Sequence, residues 1–494
     1  MTAQGFDSAK YLNLQTKAII DRMKQFGGKL YLEVGGKIFD DLHASRVLPG
    51  FLPDNKIRML ATMKDRMEAI VVVNCNDIQK SKERGDLGIT YDLECLRMID
   101  QYRSWGIKTG NVVLTMYSGQ PAADKFREVL KDMGINSYLH FPIHGYPDDT
   151  DLVVSDNGYG KNEYVVTTMP IVLVTAPGPG SGKMAVALSQ IYNDNKKGVR
   201  SGYAKFETFP VWNLPLNHPV NLAYEAATVD LEDINLIDPF HLAAHGVTAV
   251  NYNRDVESFP VLKSLFEKLY GESPYQSPTD MGVNHVGFCI DNEEAVRIAS
   301  EREIVRRYFR TYVEKLSNKV GEGAIKRIDA VMKQSGADPN NFALYRTVRE
   351  AAAENSKAIA GIELKDGTII LGKRGKDLTA VSAAILNALK KIGDIDKEVD
   401  IVLRDIIKPV QDMRTGILGN DSTMLRADEM MITLAISASK DELAKKALDQ
   451  IGELIGCDIH CSVTLYPQDM SILKKLGMNV TSEPVPQTKL MYVH

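Results

Sequence analysis

The stretch from Ile171 to Lys183, I-V-L-V-T-A-P-G-P-G-S-G-K, joins an apolar run to a glycine-rich turn and ends on a lysine. Glycine has no Cβ, so a glycine-rich backbone can curl and present successive N–H groups to an anion. The helical pattern that follows adds unpaired N–H groups and the positive end of a helix dipole. The pattern therefore predicts a phosphate-binding turn whose ligands are Gly178, Gly180, Ser181, Gly182 and Lys183.

The turn resembles the phosphate-binding loop of P-loop NTPases, G-x-x-x-x-G-K-[ST], and Gly182-Lys183 match that pattern. Two positions depart from it. Pro177 replaces the first glycine, and Met184 replaces the residue that ligates Mg²⁺, although a thioether cannot ligate a hard cation. The candidate cofactors are thus ATP or GTP with Mg²⁺, while the departures weaken the case for Mg²⁺-dependent hydrolysis. The plain structural alternative is a glycine-rich βα turn with a surface lysine.

A P-loop enzyme also needs a carboxylate at the end of a neighbouring strand to hold its metal ion. Asp77 follows the apolar run Ile70–Val73 and is the leading candidate, with Asp230 and Asp238 behind it. We therefore expect Lys183 and Asp77 to be the catalytic residues. A strand that ends in Asp or Asn is also common without any function.

The loop at 80–86, K-S-K-E-R-G-D, could close over a bound phosphate through its basic side chains. Lys80 and Arg84 are the candidate cofactor contacts in this loop, together with Lys82. A run of this kind is more often only a solvated surface.

A separate metal pattern lies in D-P-F-H-L-A-A-H-G, where His241 and His245 are four residues apart on one helical face. Two imidazoles at that spacing can bind a transition metal. The Glu of an H-E-x-x-H motif is missing, and Gly246 indicates that the helix ends there, so His245 could instead stabilise the helix terminus.

Three weaker patterns have structural explanations that we prefer. Cys457 and Cys461 flank His460, but strand alternation sends the histidine to the opposite face, which favours buried thiols. His285 and Cys289 lack a partner that would orient them for nucleophilic catalysis. A basic helix face could be solvated or could contact a phosphate, and it consists of Arg302, Arg306, Arg307 and Arg310.

The elements that must position these residues alternate between apolar runs and helical patterns over the first two hundred residues. Strands are predicted at Leu30–Val34, 69–74, 112–116, 138–141 and 171–175, and helices at 7–26, 91–105, 121–133 and 183–193. This order predicts an α/β fold with a doubly wound, mostly parallel sheet of P-loop or Rossmann type. Ligands of such sheets bind beyond the carboxyl ends of the strands.

The chain length predicts several domains, and the pattern changes twice along it. We place the α/β phosphate-binding domain at 1–290 and a helical subdomain at 291–357, which 395–425 could join. A C-terminal α+β domain follows at 358–494. Its predicted elements are a hairpin around Asp366-Gly367, helices at 377–391 and 398–412, strands at 430–437 and 458–465, and a helix at 440–455 with a Ser439/Glu442 capping box.

Bulk composition excludes some classes of function. Fifty-nine basic residues oppose 64 acidic ones, which argues against general nucleic-acid binding. We find no signal peptide and no apolar window long enough for a transmembrane helix. Five cysteines, an odd and sparse number, suit a reducing compartment. We therefore expect a cytoplasmic protein without membrane or nucleic-acid partners.

Three segments together resemble a bacterial family of conserved proteins of unknown function and of similar length. They are T-A-P-G-P-G-S-G-K-M, the sequence D-I-Q-K-S-K-E-R-G-D-L-G-I-T-Y-D at 77–92, and I-D-P-F-H-L-A-A-H-G at 237–246. The resemblance covers essentially the full chain and implies an α/β domain, a helical subdomain and an α+β domain. It implies no particular activity, and it suggests that Pro177 and Met184 mark a divergent loop.

Three hypotheses remain open at this point. The chain could be a nucleotide-dependent transferase or ligase, with Asp77 holding the metal. It could act on a phosphorylated metabolite without NTP, with the same turn holding one phosphate. It could also be a non-enzymatic module that binds a partner or forms a homo-oligomer.

Overall fold

The computed structural model describes residues 4–34, 37–84, 88–231, 233–420 and 422–487. The chain divides into two compact units. One consists of residues 4–225 and 233–300, and the other contains the segment that starts at Ala226 and the chain from Glu301 onwards. The domain borders predicted at 290 and 357 stay predictions.

The strands of the first unit are β1 Leu30–Val34, β2 Met67–Asn74, β3 Glu83–Arg84, β4 Ile89–Thr90, β5 Lys108–Thr115, β6 Asn136–Leu139, β7 Ile171–Thr175, β8 Gly202–Phe206, β9 Asn235–Ile237, β10 Val250–Tyr252 and β11 Gly282–Val283. Those of the second unit are β12 Ile359–Glu363, β13 Ile369–Lys373, β14 Asp458–Cys461 and β15 Asn479–Ser482.

The helices before residue 292 are α1 Ser8–Gln25, α2 Leu42–Val47, α3 Asn55–Ala61, α4 Cys75–Gln79, α5 Tyr91–Ser104, α6 Pro121–Asp132, α7 Thr150–Val153, α8 Lys183–Lys196, α9 Pro219–Ala227, α10 Pro239–His245, α11 Asn253–Tyr270 and α12 Pro278–Met281. Those after it are α13 Glu293–Leu316, α14 Glu322–Ser335, α15 Ala343–Asn355, α16 Ala380–Ile392, α17 Arg404–Asp412, α18 Ala427–Ala438, α19 Glu442–Leu448 and α20 Pro467–Lys475.

Seven strands of the first unit form one parallel sheet in the order β11-β8-β1-β7-β2-β5-β6. The α/β, doubly wound architecture expected from the sequence is therefore confirmed. Strands β1, β7 and β8 are buried along their whole length, as strands covered on both faces should be. Helix α5 packs on β2 and β5, and α8 packs on β1 and β7.

The chain reverses its direction of travel through the sheet at β7. It moves outwards from β2 through β5 to β6, returns to β7 beside β2, and then continues to β8 and β11 on the other side. In open α/β sheets such a reversal leaves a crevice beyond the carboxyl ends of the strands, where ligands bind. The glycine-rich turn directly follows the strand at this point.

The second unit contains a mixed sheet in the order β13-β12-β14-β15. Strand β12 pairs antiparallel with β13 and β14, and β14 pairs parallel with β15. Helices α16 and α15 pack on this sheet, and α17 packs against α18. The predicted hairpin around Gly367 is present as β12 and β13.

Two local predictions in this unit are wrong. The run predicted as a strand at 430–437 is helix α18, which buries Met430, Leu434 and Ser437 at helical spacing while Ile432 is 61% exposed. An apolar run of eight residues cannot by itself distinguish a strand from a helix. The cap of the next helix is Asp441, whose carboxylate accepts from the Ala444 N–H at 2.8 Å, and α19 ends at Leu448.

Among the described residues, no helix is both long and apolar enough to cross a membrane.

Candidate functional site

The glycine-rich turn follows β7 directly and leads into α8, as the sequence predicts. Gly180 and Gly182 adopt left-handed backbone conformations with φ of 71° and 86°, and Gly182 occupies the N-cap position of α8. A side chain would strain both positions, so glycine is required for the backbone to curl. Lys183 is the first residue of the helix.

The carbonyl groups of the turn are held by neighbouring elements. The Thr115 hydroxyl, at the end of β5, donates to the Ser181 carbonyl at 2.6 Å, and Asn74 Nδ2 donates to the Gly180 carbonyl at 3.3 Å. The N–H groups of Gly180 and Gly182 donate no hydrogen bond to any residue that the structure describes. Within the part of the chain that the structure describes, these two amides therefore have no protein acceptor.

Tyr91 packs directly against the turn. A Cβ built on Gly178 would lie only 2.2 Å from the Tyr91 hydroxyl oxygen and 2.6 Å from Cζ, so a side chain at 178 would collide with the ring. Tyr91 is the first residue of α5 and follows the loop that the sequence proposed as a lid. The structure therefore brings the start of α5 to the glycine-rich turn.

Lys183 points into the protein rather than into solvent. Its side chain is 13% exposed, and its Nζ lies 3.9 Å from Glu33 Oε1, beyond hydrogen-bond distance. No hydrogen bond joins this ammonium to another described residue. Burial lowers the pKa of Lys183, and the Glu33 carboxylate at the end of β1 partly offsets that effect.

A buried network of charges adjoins Glu33. Tyr203 donates to Glu33 Oε2 at 2.8 Å, and two residues further along β8 the Lys205 Nζ lies 2.6 Å from Asp255 Oδ2 and 3.0 Å from Glu207 Oε1. Burial raises the pKa of Glu207 to about 7, although Lys205 acts in the opposite direction. Lys205 and Glu207 also influence the pKa of Lys183 electrostatically, so the network and the turn belong to one region.

Sequence reasoning missed this network because β8 was not recognised. The available signal was G-Y-A-K-F-E, in which a lysine and a glutamate interrupt an otherwise apolar run at 202–207. Charged side chains in a buried strand require partners, and such groups cluster at functional sites.

The structure places Asp77 and the residues of the 80–86 loop as follows. Asp77 lies in α4, and its Oδ1 is 3.4 Å from Lys82 Nζ, so a lysine faces the carboxylate proposed as a metal ligand. Arg84 pairs with Glu94 and lies 3.4 Å from Asp40 Oδ1. Lys80 is exposed. Residues 85 and 86 of the loop lie outside the described residues.

Asp230 and Asp238 were the two weaker candidates for the metal ligand of a P-loop, and the structure supports neither of them in that role. Asp230 is exposed. Asp238 is fully buried and caps α10, where its Oδ1 accepts from the N–H groups of Phe240 and His241 at 3.0 Å each. Its carboxylate is therefore committed to the protein's own amides.

His241 and His245 lie one turn apart on α10, with ring centroids 4.5 Å from each other. The structure adds a carboxylate that the sequence did not reveal. His245 Nε2 lies 3.0 Å from Asp280 Oδ1, and the three residues together satisfy the geometry of a possible metal site. Asp280 is 35 residues away in the chain, beyond the reach of any local motif.

The remaining patterns have structural roles. Cys457 and Cys461 are buried free thiols, and burial raises the pKa of Cys461 to about 12. His460 is buried between Thr481 and Glu483. The four arginines of the α13 face all meet carboxylates, in the pairs Arg302–Glu363, Arg306–Asp458, Arg307–Glu303 and Arg310–Glu314.

Comparison with known proteins places the chain among uncharacterised relatives. Residues 4–336 match the family described as "Domain of unknown function DUF1846, N-terminal", and residues 340–492 match its C-terminal counterpart. UPF0371 proteins of Streptococcus pneumoniae serotype 19F strain G54 and strain P1031 are each 50% identical over 492 residues, covering 100% of both chains. These descriptions state no ligand and no reaction.

Proposed function

This chain belongs to the DUF1846 family, and we propose from its geometry that it binds a phosphorylated small molecule at the turn 178–183 and acts on it by acid–base chemistry. The observation that carries the proposal is the ammonium of Lys183. It is largely buried at the start of α8, and its nearest described carboxylate oxygen is 3.9 Å away.

Withdrawing an ammonium from water costs free energy unless hydrogen-bonding partners replace the lost hydration. The ion pair with Glu33 is too long to supply such a hydrogen bond. A phosphate oxygen at the turn would supply it, and would also accept from the N–H groups of Gly180 and Gly182. Helix α8 adds the positive end of its dipole at the same place.

The chemistry of the turn favours a phosphorylated metabolite over a nucleotide held through Mg²⁺. Met184 offers no oxygen ligand where a P-loop has Ser or Thr. The carboxylate of Asp77 faces Lys82 Nζ at 3.4 Å, which reduces the negative charge available to a cation. A nucleotide complex with Mg²⁺ is the competing outcome of the experiment below.

Acid–base chemistry is supported by Glu207. A general base works best when its pKa lies near the operating pH, and burial raises the pKa of Glu207 to about 7. Its neighbour Lys205 can hold the charged carboxylate in place at 3.0 Å. We therefore assign phosphate binding to Lys183 and proton transfer to Glu207.

The test measures binding of inorganic phosphate, ribose 5-phosphate and ATP, the last with and without Mg²⁺, by calorimetry and thermal shift. A phosphorylated ligand at 100 times its Kd stabilises the fold by about 2.7 kcal/mol, which is readily measured. Ribose 5-phosphate should raise the Tm and bind at one site. Binding of ATP only with Mg²⁺ would instead support the nucleotide-dependent function.

The variant Lys183→Met keeps an unbranched side chain that is one atom shorter and removes its charge. It should abolish binding, whereas Lys131→Met, which changes an exposed lysine of α6, should leave binding unaltered. Circular dichroism establishes that both variants are folded. Affinity in folded Lys183→Met equal to that of the wild type would overturn the proposal.

A further inference from the structure

The geometry points to a second site in the same unit: we propose that His241, His245 and Asp280 bind a divalent transition-metal ion of the Zn²⁺ class. The two histidines come from α10 and the aspartate from α12. One ligand atom from each residue lies within 4.8 Å of the other two. The proposal is independent of phosphate binding at the turn.

The two distances to the Asp280 carboxylate are close to those around a tetrahedral metal ion. His245 Nε2 lies 3.0 Å and His241 Nδ1 lies 3.5 Å from Asp280 Oδ1. Zinc–nitrogen and zinc–oxygen bonds of about 2.0–2.1 Å put neighbouring ligand atoms roughly 3.3 Å apart. Both distances to Asp280 Oδ1 are therefore within a few tenths of an ångström of that value, and the nitrogen atoms of the two histidines lie within 4.8 Å of each other.

A buried carboxylate fixes the two short helices relative to each other. Asp238 Oδ1 caps α10 through the N–H groups of Phe240 and His241, while its Oδ2 accepts from Thr279 N at 3.1 Å and from Thr279 Oγ1 at 2.7 Å. Thr279 precedes the ligand Asp280. Residues that orient metal ligands in this way strengthen metal sites, because the ligands need not be ordered when the ion binds.

Asp280 is itself oriented by a main-chain group. Its Oδ2 accepts from the Gln276 N–H at 2.9 Å. Both carboxylate oxygens lie 3.0 Å from His245 Nε2, and Oδ1 also approaches His241 Nδ1 at 3.5 Å.

The same residues do not suit a nucleophilic triad. The Ser277 hydroxyl lies 3.0 Å from His241 Nδ1, and Asp280 Oδ1 approaches that same nitrogen at 3.5 Å. In a Ser-His-Asp relay the serine and the aspartate contact different ring nitrogens. Binding of a metal at Nδ1 would replace the Ser277 hydrogen bond.

The three ligands face a cavity of about 410 Å³, whose wall also contains Arg22, Trp212 and His285. The side chain of His245 is 40% exposed, and those of Asp280 and His241 are 22% and 11% exposed. Three protein ligands and an open fourth position are the arrangement of catalytic rather than structural zinc sites. The fourth position would take water or an oxygen donor of a small ligand in the cavity.

The experiment treats the full chain with a chelator, reloads it with Zn²⁺ or Co²⁺, and measures stoichiometry by mass spectrometry of the eluted metal and affinity by calorimetry. One ion per chain is expected. Co²⁺ should give the intense visible absorption of a tetrahedral site with nitrogen and oxygen ligands. Absence of bound metal in the reloaded wild type would overturn the proposal.

His245→Ala and Asp280→Asn should each weaken affinity by at least about 100-fold, since loss of a residue that merely orients a ligand costs 10–100-fold. His144→Ala, which removes an exposed histidine elsewhere in the unit, should bind as the wild type does. His245 is partly exposed, so its replacement should not unfold the chain. Equal affinity in His245→Ala, Asp280→Asn and His144→Ala would refute the site.

Lys183→Met separates this proposal from the proposed function. That variant should lose phosphate binding and keep its metal ion, because the two sites share no ligand. Loss of both properties in a folded Lys183→Met protein would show that the metal site is not independent, and would contradict the inference as stated.

Discussion

The hydroxyl of Thr115 donates a 2.6 Å hydrogen bond to the main-chain carbonyl of Ser181. Thr115 ends β5 and Ser181 lies in the turn after β7, and β2 separates these two strands in the sheet. The bond therefore reaches across an intervening strand. It directs the Ser181 carbonyl into the protein, and both Thr115 and Ser181 are buried.

Thr115→Val should destabilise the protein by about 1–3 kcal/mol, because the Ser181 carbonyl then lacks its donor while the side chain keeps its shape. Affinity for a phosphorylated ligand should fall as well, since the turn is no longer held. Urea denaturation and calorimetry measure the two effects. Thr115→Ser retains the hydroxyl and is the control. Equal affinities in the two variants would show that this bond does not organise the turn.

Gly178→Ala should destabilise the fold by about 1–3 kcal/mol, because a Cβ at 178 overlaps the ring of Tyr91 and overpacking costs that much. A double-mutant cycle with Tyr91→Ala isolates the collision. The two changes should cost less together than the sum of their separate effects, with coupling above about 0.5 kcal/mol. Strictly additive free energies of unfolding would contradict a direct contact.

Lys205→Met should destabilise the protein by about 3–5 kcal/mol, because it leaves the carboxylates of Asp255 and Glu207 buried without their cation. Addition of Asp255→Leu should restore part of that loss. Lys268→Met provides the comparison, since its ion pair with Asp151 is exposed to solvent and should contribute far less to stability. A loss in Lys205→Met as small as in Lys268→Met would argue that the network is solvated.

Asp469 should make stability depend on pH in the acidic range. It is buried in α20, and although its Oδ1 accepts from the Ala427 N–H at 2.7 Å, burial raises its pKa from an ordinary 3.8 to about 6. The folded chain thus holds the proton more tightly than the unfolded chain. The stabilisation is complete below pH 3.8 and is lost as the pH rises through 6.

The difference between those two pKa values corresponds to a change of about 3 kcal/mol in the free energy of unfolding. Asp469→Asn cannot titrate, so the free energy of unfolding of the wild type minus that of the variant should fall between pH 4 and pH 7 by an amount of this order. Denaturant titrations at several pH values give the difference. A difference that stays constant with pH would show that Asp469 has the same pKa in the folded and the unfolded chain.

Local patterns predicted the backbone of the glycine-rich turn well. Its strand, glycines and helix start are determined by neighbours in the chain, because backbone conformation and helix capping depend on nearby residues. The continuous apolar run of β2 identified a strand buried on both faces for the same reason. The predicted strand at 430–437 failed because apolarity alone fits a buried helix equally well.

The partners of the turn could not be predicted in that way. Tyr91, Thr115 and Asn74 contact the turn from elements far from Lys183 in the sequence, and only the order of the parallel strands brings these elements together. Asp280 likewise reaches His245 across 35 residues through the packing of α10 on α12.

The sequence by itself determined the parallel α/β fold, the glycine-rich turn before Lys183 and the helical spacing of His241 and His245, since each follows from contacts within a few residues. Only the tertiary structure decided which groups meet these residues: Glu33 beside Lys183, Tyr91 against Gly178, and Asp280 beside the histidines. The physical reason is that a side chain's charge and burial depend on every element packed around it, and those elements come from distant parts of the chain.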